Sequence, residues 1–342
     1  MNSNPLLPAY TENNIPIVLQ SSNFFAPYCG VTIKSIIDHA DPEKNYDIIV
    51  TSIDMRKETI NKLTEMSYEY PNISIRVTNV KKYHDTYRPR GNKRVGSESS
   101  TRIFLAEVLE QYDKVLNVDS DMLLMTDIAE IYETDVSQSY IAAAGDTLMY
   151  FFYFTNAENG SFRELVHERI GLENVDDYFN CGFMVMNLDK IRKEIFPDDI
   201  IRYDIEHNCR FAEQDSLNHY FFDGRVKLHS RWNYCVDPTH VMDFSEESVP
   251  DKVIQEYAEA KANPAVVHFV TWKKPWEYYN VEYSEQFWKV AKTTPFYDVI
   301  KQRCENFRKT HKEKIREEKK NDKKSYHSSD AQLKKRLARI SK

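Results

Sequence analysis

Two short apolar runs rich in β-branched residues, 15–20 and 46–53, flank a segment, 26–39, in which Val31, Ile33, Ile36 and Ile37 recur at helical spacing. This order predicts strand, helix, strand. Residues 56–70 carry the next helical pattern and stop at Pro71, and 73–80 alternates like a strand, so residues 1–80 contain two consecutive βαβ units and predict a parallel, doubly wound sheet. A helix over 101–112 then feeds a strand, 114–118, that ends on Asp119, Ser120 and Asp121. Ligands of such sheets bind beyond the carboxyl ends of the strands, which is where these acids lie. Further on the pattern is mixed, with 140–144, 182–187 and 265–270 as strand candidates among helical stretches.

With 342 residues the chain is long enough for one large α/β domain and an appendage. The pattern divides it into an extension over 1–14, a domain over 15–294 and a tail over 295–342. Charge sets the tail apart: residues 303–342 hold 15 Lys and Arg against 6 Asp and Glu, which leaves an acidic body within a net charge of −7. Leu333, Leu337 and Ile340 recur at helical spacing among the tail's basic residues. A helix lying on an anionic membrane and a solvated, partly disordered helix both fit this pattern. Nucleic-acid binding lacks the interleaved aromatics it needs. The chain opens with neither a basic start nor an apolar run, and nothing approaches the roughly 18 apolar residues of a membrane span. The expected location is the cytoplasm, with the tail at most on the cytoplasmic face of the membrane. Five cysteines, at 29, 181, 209, 235 and 304, form no CxxC pair and read as reduced core thiols.

Nucleotide-binding α/β domains often carry a glycine fingerprint, but with eight glycines this chain has no GxGxxG. Residues 91–96 have Walker spacing, yet Ser97 and Glu98 follow where Lys and Ser or Thr are required. Dehydrogenase and P-loop readings lose their support, and the absence of GxSxG and HExxH removes serine hydrolases and zincins. The one Asp-x-Asp is Asp119 with Asp121. Two carboxylates repel a pyrophosphate unless a divalent cation lies between them, so the pair points to a nucleotide diphosphate bound through a metal. Taken alone, it fits a solvated turn after a strand equally well.

Its company decides. Residues 17–19 with 25–28 and 31–36, Arg102, the segment from Asp113 to Asp121, Asn180-Cys181-Gly182 through Asn187-Leu188, Glu213-Gln214-Asp215-Ser216-Leu217-Asn218, and His268 with Lys274-Pro275-Trp276 occur in this order. Together they resemble the family 8 retaining glycosyltransferases, especially bacterial galactosyl- and glucosyltransferases of lipopolysaccharide and surface-polysaccharide assembly, over roughly residues 15–290. The resemblance implies a GT-A-type, Rossmann-like, mostly parallel sheet flanked by helices. It implies transfer of a hexose from UDP-glucose or UDP-galactose to a saccharide, glycolipid or glycoprotein acceptor. By the same resemblance Asp119, Asp121 and His268 hold Mn²⁺ or Mg²⁺, and Gln20, Ser22, Phe25, Arg102, Asp119, Ser120, Asn180, Thr271 and Lys274 contact the nucleotide sugar. Gln214 is expected nearest the anomeric carbon, where its amide suits stabilisation of an oxocarbenium-like centre better than covalent attack. Glu213 and Asn180 are expected at sugar hydroxyls, Asp146 beside sugar or acceptor, and Lys274 at the β-phosphate.

The sequence also departs from the family pattern. Ser22 stands where an acidic residue usually reads the uracil imide, Phe24 and Phe25 where Asn and Tyr usually follow, and Thr271 where glycine lets backbone approach the phosphates. Glu213 replaces the more frequent aspartate, which leaves glucose and galactose both open as donor sugar. Such departures keep a second reading alive, a catalytically silent UDP-sugar-binding adaptor. A sugar nucleotidyltransferase is weaker, since it wants a glycine-rich loop that residues 20–25 lack.

Overall fold

The computed structural model describes residues 5–87, 98–155, 161–237, 242–278, 280–312, 315 and 329–341. The Walker-like spacing at 91–96 and the charged stretch 316–328 lie outside the described residues. Ten strands are present among the described residues: β1 (Asn14–Gln20), β2 (Asn45–Ser52), β3 (Ile73–Asn79), β4 (Lys114–Val118), β5 (Met122–Leu124), β6 (Ile141–Gly145), β7 (Phe179–Asn187), β8 (Arg225–Leu228), β9 (Tyr234–Cys235) and β10 (Val266–His268). Seven form one sheet in the order β3-β2-β1-β4-β7-β6-β8. β1 pairs in parallel with β2 and β4, and β2 with β3, as the two opening βαβ units require. Antiparallel β7 separates β4 from β6. β1 and β2 are buried along almost their whole length, because a parallel sheet covered on both faces has no solvent side to alternate with.

A small second sheet, β5-β10-β9, lies beside the first. The chain crosses from one sheet to the other between β4 and β5, and Asp119-Ser120-Asp121 is that crossing. The helix Ala26–His39 covers it: Thr32 Oγ1 donates to the carbonyls of Ser120 (3.1 Å) and Met122 (2.8 Å).

Two helices differ from their patterns. The second ends at Glu65 instead of running to 70, where the Ser67 hydroxyl bonds back to the Thr64 carbonyl and the chain turns. The helix expected over 101–112 is instead a 3₁₀ stretch, Glu98–Phe104, followed by one α-helical turn, Leu105–Val108. The tighter winding holds Arg102 inward, bonded to the Ser99 carbonyl and to strand β7.

The tail packs. The helix Tyr297–Thr310 buries Ile300 and Cys304, and a further helix over 329–340 buries Leu333 and lays Leu337 and Ile340 against the core. Arg336 is 7% exposed, with its guanidinium on Asp251 Oδ1 (2.7 Å) and the Glu246 and Val249 carbonyls (3.1 and 3.0 Å). The apolar stripe that suits a membrane therefore faces the protein itself. All five cysteines are buried. No helix among the described residues is long and apolar enough to cross a membrane.

Candidate active site

Strand pairing assembles the acid pair with a distant histidine. β5 runs antiparallel to β10 with Met122 opposite His268, and the Phe269 amide donates to the Asp121 carbonyl at 3.1 Å. His268, 147 positions after Asp121, thus lands beside it: Nε2 is 3.3 Å from Asp121 Oδ1 and 3.8 Å from Asp119 Oδ2. One ligand atom from each of the three lies within 4.8 Å of the others. Ser120 points the other way and donates to the Gln20 carbonyl at 2.7 Å, which leaves both aspartates facing the cleft.

Space for the group comes from Gly182, whose carbonyl accepts from the Asp119 amide at 2.8 Å as the β4–β7 ladder ends. A Cβ there would lie 2.5 Å from His268 Cε1 and 2.9 Å from Asp119 Oδ2, so any side chain would displace the acids and the imidazole.

Each acid has a cation. The buried Arg102 donates to Asp119 Oδ1 at 2.6 Å and to the Cys181 carbonyl at 2.7 Å, with Glu213 Oε1 at 3.8 Å. Lys274 Nζ donates to Asp121 Oδ2 at 2.7 Å. Burial alone would raise both carboxyls, but Lys274 and His268 outweigh it at Asp121 and hold that group below the usual carboxylate range. At Asp119, burial and repulsion from Asp121 outweigh Arg102 and His268, and its proton is held more tightly than in water.

Behind the acids runs a chain of buried amides. Asn233 Oδ1 faces His268 Nδ1 at 2.8 Å, Asn233 Nδ2 donates to Asn180 Oδ1 at 2.9 Å, and Asn180 Nδ2 donates to Asp146 Oδ2 at 3.0 Å. Gln214 Nε2 also donates to Asp146 Oδ2 (3.0 Å) and to the Tyr178 hydroxyl (3.0 Å), while its Oε1 accepts from the Cys181 amide (3.2 Å). The helix Glu213–Phe221 fixes Gln214 through its neighbours. Asn218 imitates a peptide group, exchanging two hydrogen bonds with the Phe179 backbone of β7 (2.7 and 2.9 Å), and Asp215 takes the Tyr178 hydroxyl (2.6 Å) and the Arg210 and Phe211 amides. Ala212, immediately before this helix, has φ 50° and ψ −131°, a conformation that costs an L-residue about 1–3 kcal/mol.

These groups line a cleft of about 290 Å³ that joins Arg102, Asp119, Asp121, Asp146, Asn180, Glu213, Gln214 and His268. Gln20, Ser22, Phe25, Ser120, Thr271 and Lys274 are not on its wall. Gln20 is buried and donates to Asn117 Oδ1 at 2.9 Å, while its Oε1 has no partner among the described residues; Thr271 Oγ1 is likewise buried without one. The Ser22 hydroxyl accepts from the Phe25 amide at 3.1 Å, at the start of the first helix. Phe25 packs edge-on against Tyr28 (5.1 Å) and Trp276 (5.6 Å), and Tyr28 stacks on Trp276 at 4.2 Å. Arg303, from the helix Tyr297–Thr310, covers the Phe24 ring at 4.1 Å and donates to its carbonyl at 2.6 Å.

Several members of the site escape sequence reasoning. Asn233 and Tyr178 lie in no short motif, since their partners come from distant strands. Leu148, Phe152 and Phe211 line the cleft's apolar side. The clue to Phe152 was the aromatic run 150–154, denser than a core helix needs.

Known proteins resemble this chain in sequence and in fold. General stress protein A of Bacillus subtilis is 24% identical over 272 residues, 76% of this chain and 86% of that protein. Glycosyltransferase GlyF of Streptococcus pneumoniae is 25% identical over 295 residues, 84% of this chain and 64% of its own length. Among solved structures, the bifunctional glycosyltransferase WbbM superposes with a TM-score of 0.78 at 25% identity, covering 87% of this chain and 53% of WbbM. The galactosyltransferase LgtC, solved with donor and acceptor sugar analogs, gives 0.63 at 22% identity over 82% of this chain and 96% of LgtC. This chain therefore spans just under two thirds of GlyF and about half of WbbM. Residues 16–280 match the sequence profile of Glycosyl transferase family 8, from the opening strand to beyond Trp276. On that match the chain belongs to glycosyl transferase family 8, built on the GT-A-type fold.

Proposed function

We propose that this glycosyltransferase moves glucose or galactose from a UDP-sugar to a saccharide, glycolipid or glycoprotein acceptor, with retained anomeric configuration. The carrying observation is that Asp119, Asp121 and His268 converge within 4.8 Å on the wall of the cleft that also holds Gln214 and Asp146. Two carboxylates and a neutral imidazole suit Mn²⁺ or Mg²⁺, and the space that Gly182 leaves at their tips supports the fit. Such a cation would supply neutralisation of the charge that develops on the departing diphosphate.

The chain's own groups do the rest. Lys274 adds positive charge beside Asp121, on the leaving-group side. Arg102 acts through Asp119, which it holds in place. The Gln214 amide is clamped at both ends, so its dipole stands ready at the sugar without reorganising. Asp146 accepts at the floor of the cleft and orients a hydroxyl of sugar or acceptor. Phe152 and Phe211 offer an apolar wall to a sugar ring. Around the base, Phe25 supplies the ring for stacking. Work at the cytoplasmic face of a membrane would rest on exposed Lys334 and Lys335, because Leu333 is buried.

The test is nucleotide release from a panel of UDP-, GDP- and CMP-sugars with Mn²⁺, with and without EDTA. Release from one UDP-hexose that EDTA abolishes is the expected result. Nucleotide binding with no release from any donor would instead identify a silent adaptor.

A further inference from the structure

The amide chain behind the metal-binding residues has a direction. Asp146 can only accept, so the Asn180 atom 3.0 Å from its Oδ2 is the NH₂ group. Asn180 Oδ1 then faces the other way, where it receives both the Gly182 amide (3.0 Å) and Asn233 Nδ2 (2.9 Å). Asn233 is in turn left with its oxygen toward His268 Nδ1, which must carry the ring proton. Nε2 is the nitrogen that faces Asp119 and Asp121, and in the neutral ring this arrangement leaves it bare.

The opposite tautomer meets opposition at every link. A proton on Nε2 would make Nδ1 an acceptor and turn Asn233 over. Asn180 would have to turn with it, bringing its oxygen against the Asp146 carboxylate and its NH₂ against the Gly182 amide. Asn233 is 1% exposed and off the cleft wall, so a mismatch at its amide would stay buried and unrepaired.

We propose that Asn233 is a positioning residue that sets the tautomer of His268, and that the setting is anchored at the Gly182 amide and at Asp146, on the sugar side of the cleft. The inference rests on the reading of His268 as a metal ligand, for which a bare Nε2 is the required form. It also makes the two ends of the site one unit: what Asp146 accepts is transmitted, bond by bond, to the imidazole that faces the acids.

Long-range ¹H–¹⁵N NMR of the metal-free protein reads the tautomer directly and independently of activity. The wild type should show His268 protonated at Nδ1, and Asp146→Asn, which can present either a donor or an acceptor to Asn180, should show a mixture of both forms. With the ring titrated to its neutral form, an Nε2–H tautomer in the wild type, or an unchanged pure Nδ1–H form in Asp146→Asn, overturns the proposal. Asn233→Leu, checked for an unchanged melting profile, should lower Mn²⁺ affinity about 10- to 100-fold by calorimetry. Equal affinity in that variant overturns the positioning role. A wild type that binds no Mn²⁺ but shows the Nδ1–H form would refute the metal reading and leave the relay standing.

Discussion

The acid cluster and the Ser22–Phe25 turn, the two ends of the proposed donor region, are built differently. At the acid end, every polar side chain from Lys274 through Asp121 and His268 to Asp146 and Gln214 is held by another from a distant part of the chain. At the Ser22–Phe25 end, Ser22 and Asn23 tie the turn to its own backbone and to Asp54, Arg56 and Thr59, and the remaining contacts are rings: Phe25, Tyr28, Trp276 and the Arg303 guanidinium over Phe24. A diphosphate and a reacting sugar need charge fixed to within fractions of an ångström. A flat base needs a surface, and stacking tolerates small displacements. On the proposed function, the densest side-chain bonding lies where charge would develop.

Substitutions should separate the ends. Asp121→Ala removes one acid and frees Lys274, and turnover should fall by about 10³-fold or more while donor binding through the base persists. Unchanged turnover in that variant would sink the assignment of the acid end. Gly182→Ala places a methyl against His268 and Asp119; the displaced ligands should cost about 10²-fold in kcat/KM, with stability reduced by about 1–3 kcal/mol in thermal melts. If activity survives, the tips of these side chains are looser than their hydrogen bonds imply. Trp276→Ala takes away the platform under Tyr28, worth about 0.5–1.5 kcal/mol beyond its buried area, and should raise donor KM several-fold with little change in kcat. A kcat effect as large as the KM effect would show that the two ends are mechanically joined. Arg303→Ala is the mildest, removing an exposed cation–π contact of about 0.5–1 kcal/mol, and should raise donor KM about twofold to fivefold while Mn²⁺ affinity stays constant. A drop in Mn²⁺ affinity in that variant would break the division outright.

Much of this contrast was legible in the sequence. The βαβ opening and the strand running into Asp119 carry strong local signals of period and spacing, and the sheet forms as they predict; His268 was legible only through the family resemblance, and it lies beside the two aspartates. The six-residue run 213–218 was also legible, and the structure explains its density: Asp215, Leu217 and Asn218 seat the helix that offers Gln214. Illegible were Asn233 and Tyr178, because a side chain that serves as a link between strands leaves no trace in its own neighbourhood. The 3₁₀ winding around Arg102 was hidden for a related reason. The apolar spacing of 101–112 fits an α-helix, whereas the 3₁₀ winding goes with the bonds of the Arg102 guanidinium to Asp119 and the β7 carbonyl, which come from distant strands. For the tail, the stripe of Leu333, Leu337 and Ile340 was visible, but its partner surface was not.

The clasp made by Arg336 has a temporal side. Synthesis proceeds from the N-terminus, and early segments begin to fold while later ones are still being made. The loop carbonyls at Glu246 and Val249 and the start of the helix at Asp251 leave the ribosome well before the arginine that fastens them, 85 positions later than Asp251. Until then the apolar surface that Leu333 will cover stays uncovered on the nascent chain.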